Sequence, residues 1–304
     1  MNSFKKWMIA IRAPFFTGII IPIVFGASLA FYETGRFSWG PFIITLLGGI
    51  LAHAGANLAN DYYDHKTTDD DINRNPTPFS GGSRVIQEGL ISARAVLTAA
   101  FICWGLALAA GLYLTSITPG YWILLLALAG FLGGFFYTAT RFALAYNRIG
   151  EIAILINFGV LPVLGAYFVQ AGNFSWPAVW ASMPIGFLIT AILYINQYPD
   201  YVADKAVKKN HLVVTFGLKK GRLGYYFLIF GNYTILVLAV IFANLPLLAL
   251  AGLLSLPIAL KAVRTFARHY DKVKEIIPAQ AATIQVHFLT GILMSAGCVV
   301  ASLV

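Results

Sequence analysis

Charge is what this sequence has least of. Only 11% of its 304 residues are Asp, Glu, Lys or Arg, 59% are apolar, and the mean hydropathy is +0.77. A soluble domain carries about a quarter charged residues, so a water-soluble body is excluded and lipid is the expected solvent for most of the chain. Cysteine is nearly as scarce. Cys103 and Cys298 both lie in apolar runs, which excludes a disulfide framework and a cysteine-rich metal centre. The ten-residue apolar–polar alternation that a membrane β-barrel needs is also missing. The start, MNSFKKWMIAIRAPFF, is basic but leads into a long apolar run without a small-residue cleavage site, so a first membrane helix is expected rather than a removed signal. No soluble segment is long enough to present a groove, and nucleic acid is not an expected partner.

What is present is a series of long apolar runs. A bilayer core takes about 20 helical residues. Runs of that size fall at 14–32, 41–60, 95–117, 120–140, 150–171, 177–198, 224–243, 245–263 and 284–304. They predict an all-α membrane protein, a bundle of nine transmembrane helices in one domain spanning 1–304. Lys and Arg crowd the loops on one side, while Arg36 stands alone on the other. The bias of basic loops toward the cytoplasm puts the N-terminus inside and the C-terminus outside. The net charge of +9 follows from the same loops and suits contact with anionic lipid.

The acids break this economy. Of 12, all but Glu33 fall on the basic side, where a topology signal needs none of them. Along a helix running past the lipid boundary, Asn57, Asn60, Asp61 and Asp64 occupy an arc of ~100°. Asn196, Asp200 and Asp204 step by four along another, next to Pro199. The two stretches match: Asn57-x-x-x-Asp61-Tyr62-x-x-x-Lys66 and Asn196-x-x-x-Asp200-Tyr201-x-x-x-Lys205. We read them as a weak internal repeat, with halves at about 1–140 and 141–304, each giving an acidic helix end to a shared cavity.

Carboxylates with amide oxygens suit Mg²⁺, which is commonly shared between one or two carboxylates and a substrate phosphate. The surrounding loops carry Lys66, Arg74, Arg84, Arg141, Lys205, Lys208 and Lys209. Acids and bases at one membrane face therefore point to a phosphate ester bridged by metal. Gly81-Gly82-Ser83 can offer backbone N–H groups to an anion, beside Arg84. A short interfacial helix is expected from Ser83 onward. Asp70 and Asp71 read as solvated acids. Glu151 reads either as a helix-dipole partner or as part of the site, His53 as a packed, hydrogen-bonded histidine, and Gly133-Gly134 as a close helix contact. His65, at the place the repeat gives to Asp204, is read as lying outside the metal site. Tyr62, Tyr137, Tyr198 and Tyr201 belong either to an interfacial belt or to the site, where their faces would stabilise a cation.

With these motifs, essentially the whole chain resembles the UbiA superfamily of intramembrane prenyltransferases. Asn60-Asp61-Tyr62-Tyr63-Asp64 matches its first motif, Asn-Asp-x-x-Asp. The further acid common in the family would fall on Thr68, and Asp69 stands next to it. Asp200 and Asp204 match the second motif, Asp-x-x-x-Asp, with Phe216-Gly217 downstream. The resemblance implies catalysis through Asp61, Asp64, Asp200 and Asp204, and Mg²⁺ held by these four with Asn60 and Asp69. It implies a polyprenyl diphosphate bound by Asn57, Lys66, Arg84, Arg141, Lys205 and Lys209. The segments NLANDYYD, GGSRVIQEGLIS and NRIGEIAILINFGVLPVLGAYFVQ look like the branch that prenylates 1,4-dihydroxy-2-naphthoate for menaquinone, with loss of the acceptor's carboxylate. Other branches prenylate 4-hydroxybenzoate, homogentisate and further acceptors. Two rival classes remain. A transporter would place its acids at mid-membrane, not at one face. The CDP-alcohol phosphotransferases need an Asp-Gly motif with spaced acids, an order this chain lacks.

Overall fold

The computed structural model describes residues 1–139 and 143–304. A short helix, α1 (Ser3–Ala10), is capped by Asn2, whose side chain accepts from the Lys5 N–H. Eight helices are long and apolar enough to cross a membrane: α2 (Ala13–Thr34), α3 (Trp39–Lys66), α5 (Ala93–Ile117), α7 (Gly150–Ala171), α8 (Trp176–Ala206), α9 (Leu212–Phe242), α10 (Leu247–His269) and α11 (Ile277–Leu303). A ninth apolar helix, α6 (Trp122–Thr138), is shorter at 17 residues. Among the described residues this is the expected all-α bundle. A single turn of helix, α4 (Asp69–Ile72), follows α3.

Several helices outrun their predicted ends, and the long extensions lie at the acidic face. There α3 continues to Lys66, α8 to Ala206 and α10 to His269, while α9 begins at Leu212 and α11 at Ile277. Hydropathy marks where lipid stops, whereas backbone hydrogen bonding continues wherever neighbouring helices still pack. The interfacial helix expected after Ser83 does not form; residues 85–89 are turns. Two departures from regular α-helix lie inside the bundle. Gly217, at φ +74°, breaks α9 after its first turn. Residues Leu155–Val160 of α7 form a π-helical turn.

α8 is the axial helix, with 72% of its most apolar 18-residue stretch buried, whereas the corresponding stretch of α5 has only 22% and is the one left to lipid. One core joins Phe25 and Leu29 of α2, Val163 of α7, Ile185 of α8, Leu236 of α9 and Met294 of α11. A second packs Tyr194 and Tyr198 of α8 against Tyr225 of α9, Phe266 of α10 and Val286 of α11. Hydrogen bonds join the helices within these cores: Tyr225 to Thr283 at 2.6 Å, and Ser255 to Tyr233 and Thr290 at 2.7 Å each. Such bonds are worth about 0.6 kcal/mol each in lipid, so close packing carries most of the cohesion. At the end away from the acids, Glu33 accepts from Tyr167 at 2.5 Å and from Ser175 at 3.1 Å, tying the end of α2 to α7 and to the start of α8.

Candidate active site

The ends of α3 and α8 meet at one face of the bundle, and their carboxylates have different partners. Asp61 accepts from the Arg12 guanidinium, from the Ser83 hydroxyl and, at 3.2 Å, from the Ser83 N–H. Asp64 accepts from the Asn60 amide at 2.9 Å and from Lys209 at 3.2 Å, while its Oδ1 is buried without a partner. Asp200 is held by neutral donors: Asn73 at 2.8 Å, the Ser80 hydroxyl at 3.1 Å and the Gly81 N–H at 3.1 Å. Asp204 accepts from His211 Nε2 at 2.9 Å and lies 3.6 Å from Lys209. Lys209 also reaches Asp69 at 2.7 Å, so a single ammonium bridges the first motif, α4 and the second motif.

The loop before α5 is shaped to reach these acids. Gly81 and Gly82 have φ of +80° and +74°, a conformation that L side chains resist. A Cβ on Gly82 would also collide with the Asp70 carboxylate. The backbone N–H groups expected to meet an anion do so at Gly81 and Ser83, and the anions they meet in this structure are Asp200 and Asp61.

Acids outnumber cations here, and protonation reflects it. Burial raises the Asp70 carboxyl to about 8, with the Asp64 charge adding to the effect. Burial likewise raises Asp69 to about 7; Lys209 opposes the shift, and the charges of Asp204 and Asp64 reinforce it. Burial alone would lower Lys209, but Asp64, Asp204 and Asp69 together hold it well above the usual lysine range. Among the described residues no three acids form a closed metal cage. The oxygens instead form a rim, which suits a cation that keeps water and phosphate among its ligands. The orphaned Asp64 Oδ1 and the carboxyls that hold protons near neutrality fit a divalent cation that would replace those protons.

A cavity of about 230 Å³ opens between the motifs, lined by Asn57, Asn60, Asp64, Asp69, Asp70, Asn73, Asp200, Asp204 and Lys209. Asp61 sits behind this wall, turned to Arg12 and Ser83. A second, apolar cavity of about 640 Å³ lies between α2, α3, α5, α6 and α7. His53, Ala56, Gly134, Asn157 and Phe158 line both, so the two chambers meet at a neck.

The structure does not gather every predicted residue. Lys66 and Lys205 are exposed, and Lys205 lies over the Tyr201 ring at 5.7 Å. Both follow their aspartate by five residues, which turns them away from the carboxylate face. Arg84 donates to the Asp70 backbone carbonyl and does not line the cavity. Arg141 lies outside the described residues. Asp70, read as solvated, is only 6% exposed and lines the cavity, while Asp71 is exposed and pairs with His65 at 3.0 Å. His53 is packed between Phe16 and Phe158, but its Nδ1 has no partner. Of the four tyrosines only Tyr137 lines the cavity.

Sequence reasoning passed over Arg12, Asn73, Ser80 and His211. Arg12 counted only as a topology charge. Its signal was position, since it directly precedes the helix opened by Ala13-Pro14, and it takes a left-handed φ of 52°. His211 caps α9, accepting from the Val214 N–H. Glu151 proves to be more than a dipole partner of its own helix, accepting from Gln197 at 3.1 Å and from the Leu212 N–H at 3.0 Å.

Comparison with known proteins agrees with this architecture. The model of the UbiA prenyltransferase family matches residues 19–300. The 2-carboxy-1,4-naphthoquinone phytyltransferase of Synechocystis sp. is 29% identical, over 96% of this chain and 92% of that protein. The 1,4-dihydroxy-2-naphthoate octaprenyltransferase of Escherichia coli is 28% identical, over 96% and 94%. A solved UbiA homolog from Archaeoglobus fulgidus, bound to DMAPP and Mg2+, superposes with a TM-score of 0.67 at 16% identity, over 95% of this chain and 99% of that one. An oxygen-lined mouth above an apolar chamber, in an all-helical bundle matched by the family model along nearly all its length, leads to one conclusion: this chain belongs to the UbiA prenyltransferase family and is a multi-pass integral membrane prenyltransferase.

Proposed function

We propose that the chain transfers a polyprenyl group from a polyprenyl diphosphate to 1,4-dihydroxy-2-naphthoate, whose carboxylate is lost as CO₂. The observation that carries this reading is the junction of the two cavities: a charged mouth sized for a diphosphate opens into an apolar chamber about 640 Å³ in volume. The names of the relatives support the naphthoate acceptor.

Mg²⁺ is the expected cofactor, held by Asp64, Asp69, Asp200 and Asp204 with the Asn60 amide oxygen nearby and Asp61 behind them. When bound it would offset the charge that grows on the diphosphate as the C–O bond breaks. Lys209, fixed by three carboxylates, stands ready to pair with the departing oxygens, where preorganised charge acts most strongly. Asn57 orients its amide through the Ile11 carbonyl at 3.0 Å and borders the same space. The apolar chamber keeps water from the allylic cation, and the electron-rich ring carbon attacks that cation from the neck. The ring then expels its carboxylate and keeps the electron pair. The basic loops support a cytoplasmic acidic face, with the N-terminus on the same side and the C-terminus outside. The matched motifs at Asn57–Lys66 and Asn196–Lys205 support two related halves within one domain.

The test is product mass spectrometry with purified protein, Mg²⁺, a polyprenyl diphosphate and a panel of aromatic acids. The expected product is a prenylated, decarboxylated naphthalenediol, with diphosphate released only when metal is present. Product from 4-hydroxybenzoate alone would overturn the acceptor. Absence of diphosphate release with every acceptor would overturn the reaction.

A further inference from the structure

The neck between the chambers is the least expected part of the molecule. Its walls are apolar except for two side chains, and both carry a polar atom that has no hydrogen-bond partner among the described residues: His53 Nδ1 and Asn157 Oδ1. His53 is 8% exposed. The Asn157 amide nitrogen is spent on the Ala153 carbonyl at 2.8 Å, so its free oxygen is left as an acceptor. Two devices set that amide at the neck, where the residue lines both chambers and its oxygen is covered until the side chain turns. Asn157 lies in the π-helical turn of α7, a geometry that recurs at functional sites because it rotates one side chain out of register. Gly133 of α6 leaves the space, since a Cβ there would strike the Asn157 amide. A buried acceptor without a donor carries a desolvation cost until a ligand supplies one, and a prenyl chain has no donor to give.

We infer that the neck is the seat of the aromatic acceptor, and that the Asn157 amide, turning toward the bound ring, offers its Oδ1 to a hydroxyl of that ring and so selects for it. The inference rests on the proposed prenyl transfer. If the mouth holds the diphosphate and the chamber holds the chain, the allylic carbon that joins them lies at the neck, and the ring that attacks it must lie there too. A phenolic hydroxyl is the donor such a ring brings. Asn157 is on this reading a specificity-determining residue.

The test compares kcat/KM for dihydroxynaphthoate with that for its mono-O-methyl ethers, at saturating prenyl diphosphate, in the wild type and in Asn157→Leu, which keeps the volume and removes the acceptor. Comparing the same ratio in both proteins cancels the intrinsic reactivity of the ethers. The expected result is that the preference for one free hydroxyl falls by about tenfold in the variant, while KM for the prenyl diphosphate is unchanged. Equal preference in the two proteins would overturn the inference. So would a loss of kcat shared by all acceptors, which would make the amide a stabiliser of the cation. Asn157→Ala replaces the leucine variant if that protein is not monodisperse. A wild type inactive on every acceptor would instead refute the transfer reaction and this inference with it, whereas an active wild type with unaltered discrimination in the variant refutes the inference alone.

Discussion

The two matched segments, Asn57–Lys66 and Asn196–Lys205, differ more in their surroundings than in their sequence. Their first asparagines are both tied to a neighbouring element, Asn57 to the Ile11 carbonyl and Asn196 to Gln280 at 3.0 Å. Their aspartates part company. Asp61 is neutralised by Arg12, whereas Asp200 is met only by an amide, a hydroxyl and a backbone N–H. Their lysines, Lys66 and Lys205, are both exposed, and the cation that serves both sides is Lys209, beyond the repeat. The repeated part supplies oxygen donors, and the unrepeated part supplies the different partners they meet. Asp200 has no cation at ion-pair distance among the described residues, while Asp61 is taken up by Arg12 and the Ser83 loop.

That asymmetry can be broken deliberately. The largest effect is expected from Asp200→Asn: prenyl transfer should fall by about a thousandfold while the thermal midpoint of the metal-free protein stays near that of wild type. Asp61→Asn should instead lower stability by about 2–3 kcal/mol, because a largely buried guanidinium loses its charged partner; thermal unfolding without metal reads this. If both variants lose activity and neither loses stability, the two aspartates are equivalent and the contrast fails. Lys209→Met should lower kcat by about a hundredfold, whereas Lys66→Ala and Lys205→Ala should stay within about twofold of wild type, as exposed charges do.

A pH titration sharpens the same contrast. In the folded, metal-free protein Asp69 and Asp70 hold protons up to about 7 and about 8, whereas an unfolded chain releases them near about 4. The folded state therefore binds more protons in that window, and stability falls as pH rises through it. Mg²⁺ should remove this decline, and its affinity should rise between about pH 6 and 8 as the protons leave. A flat stability curve without metal would count against the crowded acids. Among substitutions at the cavity wall, the smallest effect is expected from Asn73→Ala, which takes one neutral donor from Asp200 and should raise KM for the diphosphate about fivefold.

The bundle was legible because lipid demands long apolar runs, and the acids because charge is rare where it is costly. Helix ends were not, since hydropathy reports the boundary of lipid and not the length of α3 or α8. The aspartates and asparagines of the site could be read because helical spacing puts them on one face. Their partners could not. Arg12, Asn73, Ser80 and His211 come from junctions and loops, whose approach is set by left-handed backbone at Arg12, Gly81 and Gly82 and not by any periodicity. Lys66 and Lys205 were misread for the complementary reason: proximity in sequence stood in for direction on the helix. Asn157 left no trace in the pattern, because a π-helical turn shifts the very register from which a face is counted.

The bonds that Glu33 makes with Tyr167 and Ser175 bear on how a greasy product departs. They stitch three helices together at the rim opposite the reaction, in the manner of a spring's fixed end. A lengthened, water-insoluble molecule has no passage through a stitched rim and gains nothing by crossing the acidic one. On the proposed reaction its exit runs sideways between helices, into the bilayer that surrounds them.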